Sequence, residues 1–472
     1  MSISALRMPS FVYAVILTLL GAAWLSAVDY QPDVWTDITP SIVSKADSAS
    51  YGCNDIQIDP RNPNILYACW DEKAMTSGSR ITKSIDGGAT WSKIGNIPFE
   101  SPLHIRINPT NSNHLYLASG VRQKQFWGLF ESTDGGNTWA APAGFADIVN
   151  DPRIRFGDGS YRNDIYDVQL NPSDPSHLLA SFHGSWADTG NVPSVDNQRS
   201  GVIERLNGSW RVVMPDVRMR GVGFRCDFLN NSSTWLMGTQ ASGFWRTTNS
   251  GASWSQVYTT SMCHGGMQMT SRDGVFLVGS LDGVIRSTDN GATWAKVNGL
   301  TNEQSYAVVQ GAGKFYTIPG FWTAGASKTS YSSTDGVNWT SMGGRQFKPG
   351  MYNGTFDTTN GILFAAVWQD GLWARKVSGG STPPATVAPT ISSQPTSATV
   401  TPGQTATFRV TANGTPAPTY QWKKGGTNIS GATSASYTTP ATVSGDNGAV
   451  FTVVVTNSAG AVTSNGATLT VQ

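Results

Sequence analysis

Aspartate and histidine recur at matched places along this chain. The segments Asn54-Asp-Ile-Gln-Ile-Asp-Pro60, Leu103-His-Ile-Arg-Ile-Asn-Pro109 and Tyr166-Asp-Val-Gln-Leu-Asn-Pro172 share one spacing. Aligned on their Asp/Asn-Pro turns, they set Asp55, His104 and Asp167 at equivalent positions. The stretches after those turns put Asp71 and His183 at equivalent ends, with Trp368 in a later copy. Paired carboxylates at one mouth suit glycoside hydrolysis, where one carboxyl donates a proton to the leaving oxygen and the other works ionised, as base or nucleophile. The catalytic candidates are therefore Asp71, Asp55, Asp167, His183 and His104. Tyr166, Trp186, Trp322 and Trp368 offer flat apolar faces for sugar rings, and Arg122, Arg220 and His264 fall in the same set of segments, as substrate-binding candidates. A second chemistry is open to these residues. β-Elimination from a uronate needs a base, from His183, His264 or Tyr166, and a cation for the carboxylate, from Arg122 or Arg220. A third reading is non-catalytic glycan binding or scaffolding. No His-x-x-x-His or Cys-x-x-Cys spacing occurs, so no metal and no cofactor is expected.

Such scattered residues meet only if a repeating scaffold gathers them. An octapeptide recurs as Ser84-Ile-Asp-Gly-Gly-Ala-Thr-Trp91, Ser132-Thr-Asp-Gly-Gly-Asn-Thr-Trp139, Thr247-Thr-Asn-Ser-Gly-Ala-Ser-Trp254 and Ser287-Thr-Asp-Asn-Gly-Ala-Thr-Trp294, with a copy one residue shorter over 333–339. Its Asp/Asn-Gly core supplies the positive φ of a tight hairpin, and its hydroxyls and carboxylate satisfy turn amides. Asp86, Asp134 and Asp289 are thus read as structural. With Trp35 and Trp210 the Trp-led strands number seven, and the strand-turn-strand units opening near residues 54, 103, 166, 220, 264, 304 and 351 also number seven. Four strands in roughly 50 residues fit a β-propeller blade. Because Trp35–Thr39 precedes the first full unit, it is expected as the outer strand of the seventh blade, paired with the strand around Leu372. The fold class expected is all-β: a seven-bladed β-propeller followed by a small Ig-like β-sandwich. Composition agrees, with 51 Gly, 17 Trp and only 13% charged residues. Lys+Arg 32 against Asp+Glu 31 gives a net charge of +1, which does not support a nucleic-acid partner bound by bulk charge.

The octapeptide resembles the Asp-box, or bacterial neuraminidase repeat. That resemblance covers about residues 28–377 and implies a propeller without fixing its chemistry, since sialidases, xyloglucan hydrolases, sorting receptors and photosystem assembly factors carry such boxes. Ile65-Leu-Tyr-Ala-Cys-Trp-Asp71 is similar to the first-blade segment of xyloglucan hydrolases, where an Asp just after the second strand is catalytic, so the resemblance implies that role for Asp71. Those enzymes close a cleft between two propellers, whereas this chain has repeats for one. The Arg triad and Phe/Tyr-Arg-Ile-Pro segment of sialidases have no counterpart here. Residues 390–472 resemble an immunoglobulin-like domain, with Trp422 as the core Trp and Asp446-Asn-Gly448 before the sixth strand. Val410 and Thr452 stand where that family keeps its disulfide cysteines, and Val450 where it keeps its corner Tyr.

Residues 1–27 read as a secretory signal, with Arg7, an apolar run over Phe11–Leu20 and a small-residue cleavage site at Leu25-Ser26-Ala27. The expected organisation is signal 1–27, propeller 28–377, linker 378–389 and Ig-like sandwich 390–472. The mature chain is expected to be secreted (extracellular or periplasmic) and monomeric. It should act on a polysaccharide, free of nucleic acid and membrane. Four Cys are too few for a disulfide scaffold. Cys53 and Cys69, symmetric about the Arg61 turn, are read as a candidate pair, and Cys226 and Cys263 are left open.

Overall fold

The computed structural model describes residues 28–43, 52–71, 79–96, 102–120, 128–154, 165–183, 200–221, 225–263, 268–300, 304–320, 328–347, 349–378, 387–415, 418–429, 432–457 and 460–472. The expected signal segment, Arg122, Trp186, His264 and Trp322 lie outside them. Within the described residues the chain is built almost wholly from antiparallel sheets. Seven have three or four strands and precede residue 378. They open at Cys53–Asp59, Pro102–Asn108, Ile165–Asn171, Arg225–Phe228, Met269–Arg272, Val309–Gly311 and Met351–Asp357, and are numbered here in that order. The fourth, fifth and sixth begin about five residues later than the sequence reading placed them. Among the described residues no helix is long and apolar enough to cross a membrane.

The opening strands of the first three sheets are buried on both faces through their first four residues, because neighbouring sheets cover each side. Aliphatic side chains fill the layers between sheets. Ile56, Leu66 and Ala68 pack with Phe364 and Leu372, while Tyr67, Cys69 and Ile81 pack with Ile105 and Leu117. Trp35–Asp37 pairs with the third strand of the seventh sheet, Trp35 opposite Arg375 and Asp37 opposite Trp373. The chain's beginning and the end of its repeats therefore share one sheet.

The octapeptide turns repeat one hydrogen-bond pattern. Ser84 Oγ donates to Asp86 Oδ1 at 2.7 Å and accepts from Gly88 N at 2.8 Å, while Thr90 N and Oγ1 donate to the Asp86 carboxylate at 2.9 and 2.6 Å. Ser132-Asp134-Thr138 and Ser287-Asp289-Thr293 reproduce it. The hydroxyl and amide of Thr138 hold the Asp134 carboxyl down at about 2, and those of Thr293 do the same for Asp289. The fourth residue of each full copy takes positive φ: Gly87 70°, Gly135 72°, Ser250 53°, Asn290 57°. Its carbonyl accepts a donor from a neighbouring sheet's chain. Tyr30 Oη donates to Gly87 O, Tyr67 Oη to Gly135 O, Arg211 to Ser250 O and Arg246 to Asn290 O, at 2.6–3.1 Å.

The Cys53–Cys69 pairing is corrected by register. Cys53 lies opposite Trp70, and Cys69 opposite Asp55. A bulge between those pairs sends Cys53 into the layer with the seventh sheet and Cys69 into the layer with the second, so the two thiols occupy opposite faces. All four cysteines are free and buried.

Residues 387–471 form further small sheets around Trp422, which packs with Phe408, Phe451 and Val453. The first strand, Val387–Ser393, pairs with Thr411–Thr415, so the expected linker's last three residues are already strand.

Candidate functional site

One irregularity recurs where the first and second strands of a sheet begin and end. Register shifts separate Cys53/Trp70 from Asp55/Cys69, Pro102/Ser119 from His104/Ala118, Ile165/Phe182 from Asp167/Ser181, and Met351/Val367 from Asn353/Ala366. In each case one extra residue is squeezed into the opening strand: Asn54, Leu103, Tyr166 or Tyr352. A bulge re-aims the side chain it carries and strengthens local twist, which is why bulges gather beside functional sites. In the third and seventh sheets it turns the extra residue toward the position just past the second strand. Tyr166 thereby meets His183, ring centroids 5.1 Å apart, and Tyr352 meets Trp368 at 5.7 Å.

At the matching position of the first sheet stands Asp71. Its amide donates to Gly52 O at 2.9 Å. The Trp368 ring lies flat against Gly52, so close that a Cβ there would fall 2.3 Å from Cε3. Tyr306 continues the surface, its ring 5.4 Å from that of Tyr352, over buried Cys263. Burial pushes the Tyr352 phenol well up, and the nearby Asp71 charge adds to the rise. Half-buried Asp71 and half-buried Trp368 are thus joined through one glycine, with Tyr352 and Tyr306 behind them.

The other carboxylate candidates are elsewhere. Asp55 is fully buried, accepting from Gln57 Nε2 at 2.8 Å, Ile105 N at 2.9 Å and Arg106 Nη1 at 3.0 Å. Asp167, 2% exposed, accepts from Gln169 Nε2 at 2.8 Å, Arg106 Nη2 at 3.0 Å and Arg225 Nη2 at 3.0 Å. Burial alone would raise Asp167, but Arg225 and Arg106 outweigh it and hold the carboxyl at about 2. Asp55 is likewise lowered against its burial, by His104 and Arg106. Both are buried with their oxygens committed to arginine, amide and glutamine donors, so both are corrected to structural partners of arginine. His104 is also buried. Its Nδ1 is 3.6 Å from Asp55 Oδ2 and 3.5 Å from Asn353 Nδ2, and burial followed by the Arg225 charge lowers it. Arg220 turns back on its own loop, donating to Met219 O at 2.9 Å and to Val217 O. Tyr166 is buried apart from its contact with half-buried His183.

These charged groups link the opening strands of the first four sheets, as Asp55–Arg106–Asp167–Arg225. Asn353 touches His104 from the seventh sheet, and Gln268, just before the fifth, exchanges two hydrogen bonds with Gly354. The opening strands therefore converge on one narrow polar core. The sequence reading missed Asp227, two residues beyond Arg225 in that core. Burial, then the neighbouring Asp167 charge, raises its carboxyl to about 7. The signal was available: Arg225-Cys-Asp-Phe228 aligns with Asp167-Val-Gln-Leu170 by alternation, although its turn lacks proline.

An immunoglobulin-domain family model matches residues 388–461. The chain is 26% identical over 310 residues to a xyloglucanase of Hypocrea jecorina, a match covering 56% of this chain and 35% of that protein. It is 41% identical over 97 residues to endoglucanase C of Cellulomonas fimi, covering 20% of this chain and 9% of that one. This chain thus spans about a third or less of these curated relatives. A solved structure of YCF48 bound to D1 peptide aligns with 76% of this chain and 90% of its own at 16% identity, with a TM-score of 0.37.

Proposed function

We propose that residues 28–377 form a seven-bladed β-propeller with Asp-box turns, and that the rim site around Asp71 hydrolyses glycosidic bonds in a β-glucan-type polysaccharide outside the cell. The observation that carries this reading is the join of a carboxylate to an aromatic platform, Asp71 to Trp368 through Gly52. A sugar ring stacks on an indole face, and a carboxyl beside it is placed to act on the neighbouring glycosidic oxygen. The distant similarity to proteins named xyloglucanase and endoglucanase supports the same substrate class. Asp71 takes the acid/base role. Asp282, just past the second strand of the fifth sheet and accepting from Tyr258 Oη at 3.1 Å, is the carboxyl to be tested as its partner.

The test is release of reducing ends from a panel of β-glucans by wild type, Asp71→Asn and Asp282→Asn. Loss in Asp71→Asn with binding retained supports the reading, whereas equal release by that variant sinks it. The His183–Tyr166 contact favours one other reading, β-elimination from a uronate with His183 as base. An ultraviolet-absorbing unsaturated product, abolished in His183→Ala and kept in Asp71→Asn, would decide for it.

A further inference from the structure

Arg225 is fully buried in the polar core and uses only part of its guanidinium. Nε and Nη2 donate to Asp167 Oδ2 at 3.2 and 3.0 Å, while Nη1 is buried without a hydrogen-bond partner among the described residues. An unpaired buried N–H carries a desolvation cost, so a nearby acceptor would be used if one were charged. The strand supplies one. In the first and third sheets, residues two apart on the opening strand bond to each other: Gln57 to Asp55 and Gln169 to Asp167. Arg225 and Asp227 hold those same two positions in the fourth sheet, yet Arg225 spends its bonds on Asp167.

We infer that Arg225 is a proton-controlled latch between two carboxyls, gripping Asp167 alone while Asp227 carries a proton and bridging Asp167 and Asp227 once that proton leaves. The groups facing Asp227 set this balance. Asp167 from the third sheet repels its charged form, and Arg106 from the second and Arg225 from its own strand favour it. His104 and Cys226 stand in the same field. Burial and Asp167 win, so Asp227 keeps its proton up to about 7. One proton leaves to solvent, no covalent bond changes, and Nη1 gains the acceptor it lacks. The charges of Arg225 and Asp71 both act on the Tyr352 phenol, and the latch is independent of the glycan reading.

The experiment is a pH titration of the full chain carrying 13C at aspartate Cγ and 15N in arginine side chains, with Asp227→Asn identifying the Asp227 signal. The latch predicts a carboxyl midpoint near neutrality and an arginine side-chain shift with the same midpoint, both absent from Asp227→Asn. Arg225→Lys, whose ammonium cannot bridge as a fork does, should raise the Asp227 midpoint by about one pH unit. Titration of Asp227 below about pH 5, within the ordinary carboxyl range, would overturn the proposal. So would an arginine spectrum flat through the Asp227 midpoint, a readout that needs no variant to fold.

Discussion

Gly52 separates a rim that positions a ring from one that does not. Its backbone is ordinary, so the glycine is required by the Trp368 indole pressed against it. Gly52→Ala must push that ring away or move the strand that holds Asp71. If the indole stacks a sugar, this variant should raise KM several-fold while changing kcat little, because the loss is one of uniform binding. Asp71→Asn should do the reverse, cutting kcat by about 10²-fold or more at nearly unchanged KM, the scale of losing a general acid or base. Steady-state kinetics on one soluble β-glucan separates the two outcomes. Equal effects of both variants on both constants would mean that the rim moves as one body and that neither assignment stands.

At the scale of the element, the turns act as rivets between sheets. Asp86 ties Ser84 to Thr90 within its turn, and the Gly87 carbonyl leaves the turn to take the Tyr30 hydroxyl at 2.7 Å. Tyr30→Phe removes only that bond and should cost about 1 kcal/mol. Asp86→Ala frees Thr90 N and Oγ1 together and should cost more, about 2 kcal/mol after allowance for the turn's exposure. Urea denaturation reads both, and a Tyr30→Phe loss exceeding that of Asp86→Ala would reverse the order argued here. Such turns were readable in the sequence because their chemistry is local: hydroxyl, carboxylate and positive-φ residue lie within eight positions. The strands were readable by alternation, and the pairing of Trp35 near Leu372 followed from counting them. The bulges were not. One extra residue at 54, 103, 166 or 352 leaves no mark in an alternating pattern, yet it decides which face Cys53 takes and where Tyr352 points. Asp55 and Asp167 were misjudged for a related reason. Their strand position was found, but the arginines that neutralise them come from other sheets, up to 61 positions away along the chain.

Across the whole molecule, the polar core should make stability depend on pH in two opposite ways. Asp167 has its carboxyl lowered to about 2 by Arg225 and Arg106, against about 3.9 in an unfolded chain. Its contribution, about 2–3 kcal/mol, is complete above the unfolded value and drains away as pH falls toward the folded one. Asp227 runs the other way. With its folded carboxyl at about 7, the native state holds a proton that the unfolded chain has released, so stability declines as pH climbs from about 4 to about 7 and then levels. Thermal unfolding of wild type should therefore peak in mildly acidic solution. Asp227→Asn keeps the neutral form at every pH and should flatten the neutral side of that curve while leaving the acid limb in place. Asp167→Asn strips the counter-charge from buried Arg225 and should cost about 3–5 kcal/mol at neutral pH, the penalty for breaking one side of a buried pair. If the two variants moved the same limb, the core would be acting as a single pooled charge, and the alternating Asp–Arg chain from the first sheet to the fourth would not be what holds the opening strands together.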